Sequence, residues 1–130
     1  MTDMINSPSH YADAAVTISF EPVDLTERLP HPIASAVEYI IRAGRKESCP
    51  ESVDLGKARW WLKRALIRFE FEDVKLDPLA ARLLWHFAVE HRNTILLPLA
   101  GRVDHAVISG DGIKETIERI ESRLEKLEAE

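Results

Sequence analysis

Cysteine is almost missing from this sequence of 130 residues: Cys49 is the only one. No disulfide can form within the chain, and a cysteine-based zinc site is excluded. Such usage suits a reducing cytosol. Long apolar runs are missing too, and none approaches the roughly 20 residues that a membrane span requires. The first fifteen residues are polar and lack the basic-then-apolar layout of a signal peptide. A cytoplasmic protein is therefore expected, with no membrane partner. Cationic excess is also absent, because 17 Lys and Arg face 22 Asp and Glu for a net charge of −5. That balance argues against a generic polyanion coat, so no long nucleic acid is expected as a ligand. Repeats, low-complexity tracts and a P-loop are likewise absent.

The charge that is present is unevenly placed. Residues 42–68 hold eight basic and three acidic residues, a net of +5, which leaves nine against nineteen, or −10, for the rest. An acidic chain with one cationic segment is suited to a small phosphate-bearing ligand held locally. A solvated helix face would look the same on charge alone.

Hydrophobic periodicity predicts an all-α fold of about five helices behind an irregular N-terminal segment. A short extended piece is expected over 16–20, where Val16, Ile18 and Phe20 alternate with polar residues. Pro22 opens a short helix to residue 28. Ile33, Ala36, Val37, Ile40 and Ile41 define a helix over 33–43, with Gly44 as its stop signal. A third helix spans 53–69 behind Ser52 or Asp54 as N-cap, with Leu55, Ala58, Leu62, Ala65 and Phe69 as its core stripe. Residues 70–75 read as a charged linker. A fourth helix is expected over 78–97 behind Asp77, with Pro98 ending or kinking it. Residues 100–108 are ambiguous and compatible with helix. Gly110-Asp111-Gly112 reads as a turn before a fifth helix that runs to the C-terminus. Its apolar residues Ile113, Ile117, Ile120, Leu124 and Leu127 form a heptad seam. Docking on its own bundle and homo-oligomerisation through these five residues are both open. Residues 1–75 hold the motifs, and 76–130 complete the same domain.

Several constellations carry little chemistry. His86 and Glu90 share a helix face, whereas His91 points about 100° away from Glu90, so the zinc-protease spacing is missing and no metal site is expected. Cys49 stands beside Arg45 and Lys46 without a nucleophile motif. Glu70, Glu72 and Asp73 cluster, but no second acidic pair faces them, as a helical nucleotide pyrophosphohydrolase would need.

The strongest constellation is composite: His10-Tyr11, Glu21, Asp24, Tyr39, Arg42, Gly44, Lys46, Asp54, Lys57 and Trp61. A helix–loop–helix would bring Arg42, Lys46 and Lys57 together as phosphate ligands. Tyr39 or Trp61 offers a ring on which a base stacks.

Here the sequence resembles the small phage-encoded nucleotide kinase-like family. The resemblance rests on NSPSHY (6–11), EPVDL (21–25), AVEYIIRAGRK (36–46) and DLGKARWWLKRAL (54–66), in that order, over about residues 5–67. It implies a helical fold and a phage protein of the host cytoplasm. The implied activity is transfer of phosphate from a nucleoside triphosphate to a nucleoside monophosphate, with a role for Mg²⁺ left open. In that reading Arg42, Lys46 and Lys57 hold phosphates and Tyr39 or Trp61 stacks the base. Glu21 or Asp24 orients the acceptor or a metal, and His10 moves a proton. Two departures from the family pattern stand out: Glu38 replaces the usual Lys before the tyrosine, and Ser35 replaces an Asn. Two other readings stay open: a non-enzymatic helical oligomer that binds a host or defence protein, and a pyrophosphohydrolase-like enzyme.

Overall fold

The fold was derived from a computed structural model that describes residues 20–45, 49–69, 72–100 and 106–130. The all-α expectation holds, with six helices and one two-stranded ladder among the described residues. Helix α1 spans Pro22–Thr26 and α2 spans His31–Arg42. The predicted stripe of α2 faces inward, with Ile33, Ala36, Val37, Ile40 and Ile41 all buried. Gly44 ends that helix with φ +79°, a left-handed conformation that a glycine adopts without steric penalty.

Helix α3 spans Glu51–Phe69 and buries Leu55, Ala58, Leu62 and Ala65. It starts one residue before Ser52, so neither Ser52 nor Asp54 is the N-cap. Asp54 instead points inward and is fully buried. The α2–α3 pair is antiparallel: His31 meets Trp61 at one end, and Arg42 meets Asp54 at the other.

The charged linker contributes strand β1, Val74–Lys75, which pairs antiparallel with β2, Val107–Ile108. The ambiguous segment thus ends as strand rather than helix. Helix α4 covers Pro78–Trp85, capped by the Asp77 carboxylate, which accepts the Ala80 N–H at 2.8 Å. The single helix expected over 78–97 does not form. A π-turn follows at His86–Glu90, then Arg92 turns left-handed at φ 53°. The chain restarts as the short α5, Leu97–Ala100, with the Asn93 side chain accepting the Leu96 N–H at 3.0 Å. Pro98 therefore lies inside the first turn of a new helix, where its missing N–H costs nothing.

Helix α6 covers Gly110–Ala129. Ser109 caps it by accepting the Gly112 N–H at 2.9 Å, so the Gly-Asp-Gly triplet is the first helical turn rather than a preceding loop. Ile113, Ile117 and Ile120 are buried in one core with residues of α1–α5, and Leu124 and Leu127 pack partly buried against it. The heptad seam is therefore spent on the chain's own bundle. Of the two roles open to Ile113, Ile117, Ile120, Leu124 and Leu127, docking on the chain's own bundle is the one this packing uses, and Leu124 and Leu127 keep part of their exposure. No helix among the described residues is long and apolar enough to cross a membrane.

Candidate functional site

Four of the expected site residues meet at one end of the α2–α3 pair. Arg42 donates from Nη2 to Asp54 Oδ1 at 3.1 Å. Its guanidinium lies 4.8 Å from the centre of the Tyr39 ring, and Lys57 Nζ lies 5.5 Å from the same centre. Each cation lies within cation–π reach of that one ring. The hydrogen bond that Arg42 donates to Asp54 raises the Arg42 pKa above its usual value. Asp54 is fully buried, while the Arg42 side chain keeps 30% of its exposure. Among the described residues, Asp54 Oδ2 and Arg42 Nε are buried with no hydrogen-bond partner. This group acts first as a lock between two helices.

The other expected residues are dispersed. Trp61 stands near the opposite end of α2, in edge contact with His31 at 5.0 Å and Trp60 at 4.9 Å, so it does not share a site with Tyr39. Asp24 is used in the first turn of α1, where its carboxylate accepts the Glu21 N–H at 2.8 Å. His10 and Lys46, like residues 16–19 of the extended piece expected over 16–20, lie outside the described residues.

Two clefts adjoin the Arg42 end. The smaller, about 420 Å³, lies between α1 and α2 and is lined by Glu21, Pro22, Val23, Glu38, Ile41 and Arg42, among others. The larger, about 750 Å³, is walled by the end of α2, the start of α3, the 91–95 loop and α6. Ile41 and Arg45 line both clefts, so the two adjoin at these side chains.

The larger cleft gathers Arg45, Arg92, Arg119, Arg123 and Lys126 against Glu51, Glu115 and Glu118. Arg123 is held by Glu51 through two hydrogen bonds, at 2.8 and 3.0 Å. Those bonds lower the Glu51 pKa and raise that of Arg123. Arg119 pairs with Glu115 at 3.2 Å and donates to the Thr94 carbonyl at 2.6 Å. Arg45, Arg92 and Lys126 are exposed and have no ion-pair partner among the described residues.

Four of these five cations lie outside residues 42–68, so charge segmentation along the chain missed them. The signal that could have found them is the spacing Arg119, Arg123, Lys126, a basic stripe on an otherwise acidic helix. No group of three or more metal-ligating side chains occurs among the described residues. Compared with protein families, with curated proteins and with solved structures, the chain has no match.

Proposed function

We propose that this chain binds a nucleotide across the two adjoining clefts, with the phosphates in the larger and the base in the smaller. The observation that carries the reading is the larger cleft, which is lined by three cations, Arg45, Arg92 and Lys126, that have no ion-pair partner among the described residues. Arginine forks and a lysine point charge are the side chains that phosphate oxygens select. Arg45 lines both spaces. Pro22, Val23 and Ile41 give the smaller cleft apolar walls for a base, while Glu21 and Glu38 offer acceptors for amino or hydroxyl groups. A bipartite ligand matches this bipartite surface. Phosphate transfer to a nucleoside monophosphate, in a phage protein of the host cytoplasm, is the activity that the resemblance of residues 5–67 adds.

Calorimetric titration with nucleoside mono-, di- and triphosphates tests the binding step. Affinity should rise with phosphate number and fall with salt. Absence of heat with all three would overturn the reading. Mixing a triphosphate with a monophosphate and following diphosphate formation tests the transfer step separately.

A second reading, a non-enzymatic partner-binding protein, is favoured by Trp60 and Ile67 on the outer face of α3, which keep 56% and 72% of their exposure. Arg64 and Arg68 line the same groove, so an acidic partner surface would suit it. A Trp60→Ser, Ile67→Ser double variant that loses biological effect while keeping nucleotide binding would favour this alternative.

A further inference from the structure

The π-turn at the end of α4 undoes the spacing argument against His86 and His91. Five residues apart on an α-helix, two side chains diverge by about 140°. A turn closed from i to i+5 returns them to one face. The backbone makes that closure: the His91 N–H donates to the His86 carbonyl at 3.3 Å, and the Asn93 N–H to the Ala88 carbonyl at 2.9 Å. As a result the two imidazoles meet, with His86 Nε2 and His91 Nε2 3.2 Å apart. On its other side His86 Nδ1 lies 2.9 Å from Glu90 Oε2.

We propose that His86 and His91 form a two-imidazole chelate for a nitrogen-preferring divalent cation of the Zn²⁺ type, with Glu90 as the outer partner that orients His86. Geometry is the first support. With metal–nitrogen bonds of about 2.05 Å, the observed separation of 3.2 Å subtends about 103° at the metal, close to the tetrahedral value. The second is the proton arrangement. Glu90 accepts from His86 Nδ1, so the lone pair of His86 is on Nε2 and points at His91. A carboxylate behind a ligating histidine is the recurrent outer shell of zinc sites. Without metal, His91 donates its Nε2 proton to His86. With metal, that proton moves through solvent to His91 Nδ1, and each Nε2 lone pair faces the cation.

The third support is the packing. Phe87 lies against both imidazoles, at 5.1 and 5.3 Å between ring centres, and Phe20 lies edge-on to His86 at 5.4 Å. Phe87 packs against both rings, and this contact lowers the ordering cost of chelation. Water fills the remaining coordination positions, and imidazole donors select Zn²⁺, Ni²⁺ or Cu²⁺ over Mg²⁺.

The test uses the full chain and Zn²⁺ alone, without nucleotide. Calorimetry should give one ion per chain. Long-range ¹⁵N–¹H spectra of the imidazoles should show His91 passing from the Nε2–H to the Nδ1–H tautomer as Zn²⁺ is added, while His86 stays Nδ1–H. Glu90→Gln should weaken binding by about 10- to 100-fold, and His86→Gln or His91→Gln by at least as much. His31→Gln should leave it unchanged. Binding that survives both His86→Gln and His91→Gln would overturn the proposal. So would wild-type spectra in which neither tautomer responds to Zn²⁺, leaving only an imidazole–imidazole hydrogen bond; that readout needs no variant to fold.

Discussion

Glu51 and Arg123, 72 positions apart in the chain, meet in a two-pronged ion pair with hydrogen bonds of 2.8 and 3.0 Å. The pair ties the first turn of α3 to the last third of α6 and forms part of the wall of the larger cleft.

That ion pair has a pH signature. The Arg123 hydrogen bond lowers the Glu51 pKa in the folded chain below its unfolded value. Its contribution is therefore present above the ordinary glutamate range and is lost as pH falls through the folded value. Asp77, lowered by its hydrogen bond from the Ala80 N–H, has the same sign. Glu51→Gln should cost about 1 kcal/mol at pH 7, because both partners keep partial exposure. Melting curves at pH 7 and pH 3 should show the gap from wild type closing at the acid end.

The Arg42–Asp54 contact should be asymmetric under mutation. Arg42→Ala leaves a fully buried carboxylate without its cation, which costs about 3 kcal/mol or more. Asp54→Ala leaves a guanidinium that keeps 30% of its exposure and can reach water, so the loss should be smaller, about 1–2 kcal/mol. Denaturant unfolding of both variants checks the order, and a larger loss for Asp54→Ala would contradict it.

Two helical glycines should respond with opposite signs. A Cβ on Gly56, inside α3, meets nothing within 4 Å, so Gly56→Ala should stabilise by about 0.5–1 kcal/mol through helix propensity. A Cβ on Gly112 would lie 2.7 Å from the Pro98 carbonyl oxygen, a backbone atom of α5. The clash outweighs the same propensity gain, and Gly112→Ala should destabilise by about 1–3 kcal/mol. Thermal unfolding of the two single variants settles both signs.

Nucleotide affinity should depend on residues that the motif pattern did not emphasise. Arg45→Ala should weaken triphosphate binding by about tenfold or more, the value of one lost charge-assisted hydrogen bond. Arg92→Ala with Lys126→Ala should weaken it further and flatten its salt dependence. Lys57→Ala, over the Tyr39 ring and outside both clefts, should change affinity little. Calorimetry at two ionic strengths measures all three.

Legibility in the sequence followed the range of the physics. The stripe of α2 and the inward face of α3 were readable because they depend on periodicity within one helix. The heptad residues of α6 were readable as a stripe, but not what they pack on, since a seam carries no address for its partner. The fourth helix is shorter than its spacing predicts. Its apolar spacing continues through His86–Glu90, and nothing in that spacing reports a π-turn or a left-handed Arg92. Asp54 looked like an N-cap because aspartate at a helix start usually is one; its burial against Arg42 is a tertiary fact. The larger cleft escaped for the same reason, being assembled from four separated segments.

The shared core bears on how this chain could be divided. Leu25, Val37 and Leu62, from the half that holds residues 21–66 of the motif pattern, are buried in the same cluster as Leu84, Leu99 and Ile120, from residues 76–130. The motif-bearing half is therefore not a portable cassette. Excised near residue 75, it would present a broad greasy flank to water, and transplanted onto another scaffold it would need a substitute for α6. Residues 76–130 are the mould in which the motif-bearing half takes its shape.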